Sequence, residues 1–505
     1  MQYGFAIDQR TCIGCHACTV ACKTEHEIPV GQFRTWVKYV DKGQYPSTTR
    51  EFGVMRCNHC TDAPCISICP TNALFKRDDG IVDFDQELCI GCKSCMQACP
   101  YDALYIDEDT NTAAKCNFCA HRIDQGLEPA CVVVCPTESI WVGDLDDAES
   151  GIRKFLSIEP VQTRTPEQKT GPNVYYVGAS EAVLNPLAAP VDDTYIWAEP
   201  DPQRAENRDD FGVDPVTRAR TTLNTAHPRP WGWKVWSYLW TKSVAAGAVL
   251  VAAFLLVIDQ SPTDLTAVVA PLVGAVFAAV TAVLLITDLK RPERFYYLLT
   301  KPNPTSWLVW GGVILGVFAA VVGLWFLGGV FGADALVEAM AWPAIPAAVL
   351  TAGYTAFLFG QAEGRDLWQS PVLFWHLQAQ ALMAGAGALL VAAPVVDASD
   401  GTIAAIAITF TVATAAHLLM LLVELGGKHS TRNAEVAAHI IVRGRYAKTF
   451  WYGSVLMSLV VLAGGLAVSL GASAWLGVLV GLAVQVPLLA YESVFVKAAQ
   501  DVPLS

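Results

Sequence analysis

Sixteen cysteines lie between residues 12 and 135, and none occurs in the 370 residues that follow. They form four groups of four. Cys12, Cys15, Cys18 and Cys22 are spaced C-x2-C-x2-C-x3-C, and Cys57, Cys60, Cys65 and Cys69 are spaced C-x2-C-x4-C-x3-C-P. Cys89, Cys92, Cys95 and Cys99 repeat the first spacing ahead of Pro100, whereas Cys116, Cys119, Cys131 and Cys135 keep both ends of the pattern and hold eleven residues in the middle. Three thiolates on one tight loop can each reach a different iron of a cubane, and a fourth that starts a helix directed away reaches a second cluster. Groups then work in twos, and four complete groups predict four [4Fe-4S] clusters.

Two other readings compete. Disulfides suit small secreted domains, but the segment MQYGFAIDQRTCIGC has no charged region followed by an apolar run and no twin-arginine pair, so the first part is expected to begin in the cytoplasm. Structural zinc uses C-x2-C pairs, but it needs neither the third cysteine two residues later nor the fourth before proline. His16, His59 and His121 stand beside cysteines in groups that already have four ligands, so roles outside the metal shell are expected for them. Lys93, Lys115 and Arg122 either tune cluster potentials or are simply solvated. The alternation in GIVDFDQELC predicts a short strand of the hairpins that flank such loops.

The elements that must carry these loops differ from the rest of the chain. Residues 1 to 230 hold 21 Lys and Arg against 33 Asp and Glu, and residues 231 to 505 hold 13 against 14. An acidic globule with no basic stripe argues against nucleic acid as a partner. We expect a cluster domain over 1–160, and an extended tether over 161–232 that is rich in Pro, Asp, Asn and Thr. An all-α membrane domain is expected over 233–505.

That last part contains eight apolar stretches long enough to cross a bilayer, at about 235–258, 266–287, 306–330, 341–360, 372–396, 401–423, 450–471 and 474–496. The fourth is weakest, since AWPAIPAAV carries two prolines. With eight crossings, Lys234, Lys242, Lys290, Arg291, Arg294, Lys301, Arg365, Lys428, Arg432, Arg443, Arg445, Lys448 and Lys497 fall on the side of the cysteines. The other side has only acids, such as Asp259, Asp264, Asp334, Glu338, Asp397 and Asp400. The positive-inside rule then puts the cysteine domain and both termini in the cytoplasm, on the inner face of the cytoplasmic membrane.

The cysteine segments CIGCHAC, CNHCTDAPCISICPTNAL, CIGCKSCMQACPYDAL and CNFCAHRIDQGLEPACVVVCPTESIWVGDL resemble the iron-sulfur subunit family of dimethyl sulfoxide and polysulfide reductases. In that family the first group pairs with the fourth and the second with the third. The resemblance therefore implies four sets: Cys12, Cys15, Cys18 and Cys135; Cys116, Cys119, Cys131 and Cys22; Cys57, Cys60, Cys65 and Cys99; Cys89, Cys92, Cys95 and Cys69. DLKRPERFYYLLTKPNPTSWLVWG and the terminal YESVFVKAAQDVPLS likewise resemble NrfD-like polysulfide reductase membrane subunits, which implies menaquinone or ubiquinone chemistry in the membrane lipid. The implied fold is a double ferredoxin-like α+β domain ahead of eight transmembrane helices.

The membrane part has no C-x-x-C-H and only His376 and His417 fall within its crossings, so no heme is expected and electrons should pass directly between a cluster and quinone. Ionisable residues at the cysteine side of the crossings are candidates for quinone contact and proton transfer: Asp288, Arg291, His376, His417, Glu424 and Glu492. His417 and Glu424 are seven residues apart on one helix face, suited to carrying a proton. Their plainer readings are an interfacial ion-pair lock at Asp288, Arg291, Glu293 and Arg294, and a solvated His376. Trp231, Trp233, Trp236, Tyr238 and Trp240 read as an interfacial aromatic belt.

Nothing in the sequence supplies a substrate centre, so a catalytic molybdopterin-containing large subunit is the expected partner. The alternatives are the corresponding subunit of a quinone-linked [NiFe] hydrogenase, and a redox-driven ion-translocating subunit.

Overall fold

The computed structural model describes residues 1–191, 218–258 and 261–505. The central part of the expected tether and Asp259 lie outside the described residues.

The first part is built from small sheets and short helices. A four-stranded sheet orders Ile140–Asp144, Tyr3–Asp8, Val174–Val177 and Val161–Gln162, and only the pairing of Tyr3–Asp8 with Val174–Val177 is parallel. Residues 161–191, the first part of the expected extended tether, thus lie against the cysteine domain and add two strands to this sheet. Val174, Tyr176 and Val177 are buried in the core and supply a central strand, a contribution that Pro and Asp on either side conceal in the sequence. A second sheet joins Arg220–Leu223 to the hairpin Thr35–Gln44 and Ser47–Arg56. Two further hairpins pair Leu74–Lys76 with Val82–Phe84 and Leu104–Asp107 with Thr112–Lys115. The expected strand in GIVDFDQELC is Val82–Phe84.

Among the described residues, seven helices are long and apolar enough to cross a membrane: Trp233–Val257, Leu265–Asp288, Trp307–Val330, Asp334–Gln361, Asp400–Gly426, Thr449–Ser469 and Ala474–Asp501. The prolines at 343 and 346 sit inside the fourth of these, which runs on through them. The remaining stretch forms the helix Leu373–Ala392, which carries His376, Gln378 and Gln380. Its polarity follows from its place: a Cβ on Gly385 would meet the Gly247 backbone at 2.0 Å, and one on Gly481 would meet Gly387 O at 2.2 Å. Small residues let the helix backbones close together here, so most of its side chains, His376 and Gln380 included, face protein instead of lipid.

The two parts share one core. A continuous buried set runs from Cys57, Ile68 and Tyr101 across to Trp231, Trp368, Leu377 and Phe495. The loop Leu289–Ser306, inside the segment DLKRPERFYYLLTKPNPTSWLVWG, holds the cysteine domain by its backbone. Arg294 Nη1 donates to the carbonyls of Gln86 and Cys89, Asn303 Nδ2 to that of Cys69 at 2.7 Å, and Ser306 Oγ to that of Ile68 at 2.7 Å. The C-terminal end is buried against the same domain, where Gln500 and Gln97 are joined at 2.7 Å and Asn224 Nδ2 donates to Ser505 O.

Candidate functional site

Each cysteine group is a loop that turns into a short helix. The repeated CIGC segments turn with Gly14 and Gly91 both at φ 68°, followed by His16 and Lys93 at φ 60° and 65° ahead of the helices Ala17–Glu25 and Ser94–Ala98. A Cβ at Gly91 would also meet the side chain of Lys290 at 2.5 Å, so glycine serves both the turn and the docking. The last two cysteines of each group are four residues apart, and each pair spans or adjoins a helical turn that separates the fourth thiol from the loop.

The structure brings the cysteines together in crossed sets. Cys12 is in electrostatic contact with Cys15 and Cys135, and Cys22 with Cys116, Cys119 and Cys131. Cys65 lies against Cys57, Cys60 and Cys99, while Cys69, Cys89, Cys92 and Cys95 line one cavity. The eleven residues between Cys119 and Cys131 lie outside that contact, with Gln125, Gly126, Leu127 and Glu128 exposed.

The surroundings suit an anionic sulfur-ligated group. Cys89 Sγ accepts from the N–H of Gly91 and of Ala113 at 3.4 and 3.3 Å, and Cys135 Sγ accepts from that of Ser139 at 3.3 Å. Burial pushes the thiols of Cys18, Cys60, Cys92, Cys99 and Cys119 up to about 12, so a bound cation is what stabilises their thiolates.

Two of the charged groups singled out are enclosed, and a third enclosed one goes unmarked in the sequence. Lys93 and Lys115 are buried, not solvated: Lys115 Nζ donates to the carbonyls of Val82 and Cys116. Arg56, which carries no spacing signal, is wholly buried; its Nη1 lies 3.4 Å from Cys131 Sγ and its guanidinium 4.3 Å over the Phe5 ring. Being next to Cys57 is the only hint the sequence offers. Of the histidines, His59 is fully buried and accepts from Val82 N–H, His16 bonds Tyr39, and His121 pairs with Glu25 at the surface. His26, unmarked by the motif, sits 3.2 Å from Cys119 Sγ.

The sets form a sequence in space. Cys18 lies against Cys131, Cys116 against Cys57, and Cys95 against Cys65. At one end Cys15 is exposed, as are Ile13 in the same loop, Val20 on the following helix and Val133 on the helix Ala130–Val133 packed against it. At the other end, Cys92 borders an apolar pocket between the two parts of the molecule. Its walls include Trp231, Tyr238, Asp288, Phe295, Gly312 and Tyr354. Tyr354 can lie against the helix Trp307–Val330 only because position 311 is glycine: a Cβ there would be 2.4 Å from the ring.

The predicted membrane residues separate into three places. Asp288 lines the pocket and accepts from Lys93 Nζ at 2.8 Å. Arg291 points away from it, with Nε donating to Thr110 O at 2.8 Å and its guanidinium 3.3 Å from Glu293; it belongs to the docking loop. His376, His417 and Glu424 meet in a third place. His376 is not solvated but completely buried, because Glu424 and Tyr491 close over it: Nδ1–H donates to Glu424 Oε2 at 2.6 Å, and Nε2 is 2.8 Å from His417 Nδ1. Tyr491 O–H donates to Glu424 at 2.8 Å and Ser370 O–H at 3.3 Å. The aromatic group is also divided. Trp233 is exposed as an interfacial residue would be, but Trp231 and Tyr238 are buried pocket walls, with Trp231 stacked on Trp368 and donating to Cys92 O.

Two family patterns match this protein: "4Fe-4S dicluster domain" over residues 49–145, and "Polysulphide reductase, NrfD" over residues 221–500. Curated relatives align with the cysteine-rich part. The B component of the tetrathionate reductase of Salmonella typhimurium is 43% identical over 190 residues, covering 37% of this protein and 76% of the relative. The B component of the polysulfide reductase of Wolinella succinogenes is 41% identical over 179 residues, 35% of this protein and 94% of the relative. The thiosulfate reductase electron transfer subunit PhsB of Salmonella typhi is 44% identical over 173 residues, 34% of this protein and 88% of the relative.

Proposed function

Since the protein belongs to the polysulphide reductase NrfD family and carries ahead of that domain an iron-sulfur part of the tetrathionate and polysulfide reductase type, we propose that it passes electrons between a separate molybdopterin-containing catalytic subunit and the membrane quinone pool. The sixteen cysteines hold four [4Fe-4S] clusters in the crossed sets described above, and the clusters supply one-electron carriage. Their order runs from the set of Cys12, through those of Cys116 and Cys57, to that of Cys89. The exposed apolar side chains of Ile13, Val20 and Val133 mark the end offered to the catalytic partner.

The observation that carries this reading is the double position of Cys92, which borders both the cavity shared with Cys69, Cys89 and Cys95 and the apolar pocket beside Asp288. A pocket of mostly hydrophobic walls with a few placed polar groups suits a quinone ring and its tail. Electrons then need no intermediate carrier. The protein's own task in the pocket is to hold the ring between Trp231, Tyr238 and Tyr354 and to keep Asp288 fixed through Lys93.

We take the domain for clusters as residues 1–160, the connecting strap, which lends that domain the strand Val174–Val177, as 161–232, and the quinone domain as 233–505. Eight crossings are favoured over seven: His376, near the start of Leu373–Ala392, meets Glu424, near the end of Asp400–Gly426, so those helices run antiparallel side by side. Lys234, Lys290, Arg291, Arg294, Lys301 and Arg365 gather at the cluster side, which makes that side cytoplasmic.

The test is anaerobic mixing of the purified full-length protein with a reduced quinol while cluster absorbance is followed. Gly312 has nothing within 4 Å of an added Cβ and lines the pocket, so Gly312→Leu fills the site without touching the backbone. Quinol should reduce the wild-type clusters and fail to reduce those of the variant, while dithionite reduces both; equal quinol rates in the two proteins would sink the proposal. Nickel in place of molybdenum in the isolated complex would reassign the partner to a hydrogenase.

A further inference from the structure

Behind the pocket, two buried charges from different helices are used by neither the cysteine sets nor the pocket wall. Lys242, on Trp233–Val257, is wholly buried; its ammonium donates to Thr355 Oγ1 and lies 4.7 Å from the centre of the Tyr354 ring. Glu492, on Gln485–Asp501, is 2% exposed, and neither of its carboxylate oxygens has a hydrogen-bond partner among the described residues. The two side chains are within electrostatic reach of one another, and Glu492 is within reach of Tyr238. Ionisable groups enclosed in an apolar bundle are costly, and their presence points to a task.

The two buried glutamates differ in how they are held. Glu424 accepts hydrogen bonds from His376, Tyr491 and Ser370 and is locked in place. Glu492 accepts none among the described residues, so its carboxyl can turn and can change its proton content without breaking a contact. On one side it faces Lys242 and, through Thr355, the pocket residues Tyr354 and Tyr238. On the other, Tyr491 leads to Glu424 and Ser370, at the cluster-side ends of their helices. Asp288 acts on Tyr238 from the end of the second membrane helix, and Glu492 acts on both Tyr238 and Tyr491.

We propose that Glu492 is the proton-exchange residue of the quinone pocket, joining the pocket tyrosines and Lys242 to the Tyr491, Glu424 and Ser370 exit. The inference rests on the quinone reading of the pocket. In quinol oxidation two O–H bonds break: the two electrons leave singly to the cluster beside Cys92, and the two protons leave in succession through Glu492. Quinone reduction runs both paths backwards. Electrons and protons then meet the same side of the membrane, so the reaction displaces no net charge across it.

The experiment uses the full-length protein in nanodiscs, with a soluble short-tail quinol as the probe and cluster bleaching as the readout across pH. Glu492→Gln should slow quinol-driven bleaching by about tenfold or more and flatten its pH profile, with dithionite bleaching unchanged and Glu492→Asp recovering most of the rate. A Glu492→Gln rate within about twofold of wild type, with the same pH profile, overturns the inference. The double variant Lys242→Gln, Glu492→Gln removes both charges and separates a proton role from a structural one: it should remain slow, and recovery of the wild-type rate would also overturn the inference. If quinol fails to bleach even the wild-type clusters, the pocket reading fails and this one falls with it.

Discussion

Lys93 Nζ stands 2.8 Å from Asp288 Oδ2, joining the residue that follows a cluster-loop cysteine to the last residue of the second membrane helix. The pair is largely enclosed, and both its backbones are fixed separately, by the turn at Lys93 and by Lys290 N–H donating to Gly91 O. It makes the cysteine loop and the pocket one rigid piece. In the proposed reaction, that lock sets a close and constant spacing between the cluster and the quinone.

Lys93→Ala leaves Asp288 in the pocket wall without its cation, while Arg294, Asn303 and Ser306 still hold the docking loop. Quinol-driven cluster reduction should slow by about tenfold, with iron content and dithionite reduction unchanged. Stopped-flow absorbance checks both, and an unchanged quinol rate would show that the pair has no part in the reaction.

Arg56 places a buried positive charge beside the sulfur of Cys131 and within reach of Cys18 and Cys116. Reduction adds negative charge to a cluster, and a nearby cation favours it. Arg56→Met should therefore lower the midpoint potential of the cluster held by Cys116, Cys119, Cys131 and Cys22 by roughly 50–100 mV, the effect of about 1–2 kcal/mol on a one-electron couple. Potentiometric titration followed by electron paramagnetic resonance reads that shift directly.

The crossed sets predict which cluster each fourth cysteine serves. Cys135→Ser should disturb the cluster of Cys12, Cys15 and Cys18 and spare that of Cys116, Cys119 and Cys131; Cys22→Ser should do the reverse. The spectroscopic signature lost in each variant assigns the pairing.

Asp102 binds His227 and faces Arg365 at 3.7 Å, all three side chains enclosed where the C-terminal end docks on the cysteine domain. Burial alone would raise the Asp102 carboxyl, yet the two cations hold it below its ordinary value. A lowered carboxyl contributes stability above its unfolded value, about 3.9, that fades as pH falls through the lower folded value. Asp102→Ala strips the carboxylate from buried Arg365 and should cost about 3–5 kcal/mol at neutral pH. Thermal unfolding of the purified protein measures it, and no change in midpoint would contradict the account of the junction.

How much of this is legible in the sequence depends on whether the signal is local. Cysteine spacing is local, so the four groups can be read directly, whereas the crossing of Cys22 and Cys135 needs a likeness to known proteins. Hydropathy is local too, and it marks all seven of the long apolar helices. It also marks Leu373–Ala392, whose glycines let the bundle close around its polar side chains. Arg56 and Lys242 are opaque because a lone basic residue looks the same whether it is solvated or enclosed. Asp288, His376, His417 and Glu424 stand out as unusual, but their division between a pocket and a separate hydrogen-bonded group depends on helix neighbours far apart in sequence. The strand Val174–Val177 is hidden because its pairing partner lies at the other end of the domain.

The most direct measurement is to photolabel the full-length protein with a photoactivatable quinone analogue and map the modified residues by mass spectrometry. The account predicts labelling on Leu285 to Leu298 and Leu308 to Leu315, beside Cys92, abolished by Gly312→Leu. Labelling concentrated around His376 and His417, or unaffected by Gly312→Leu, would contradict it.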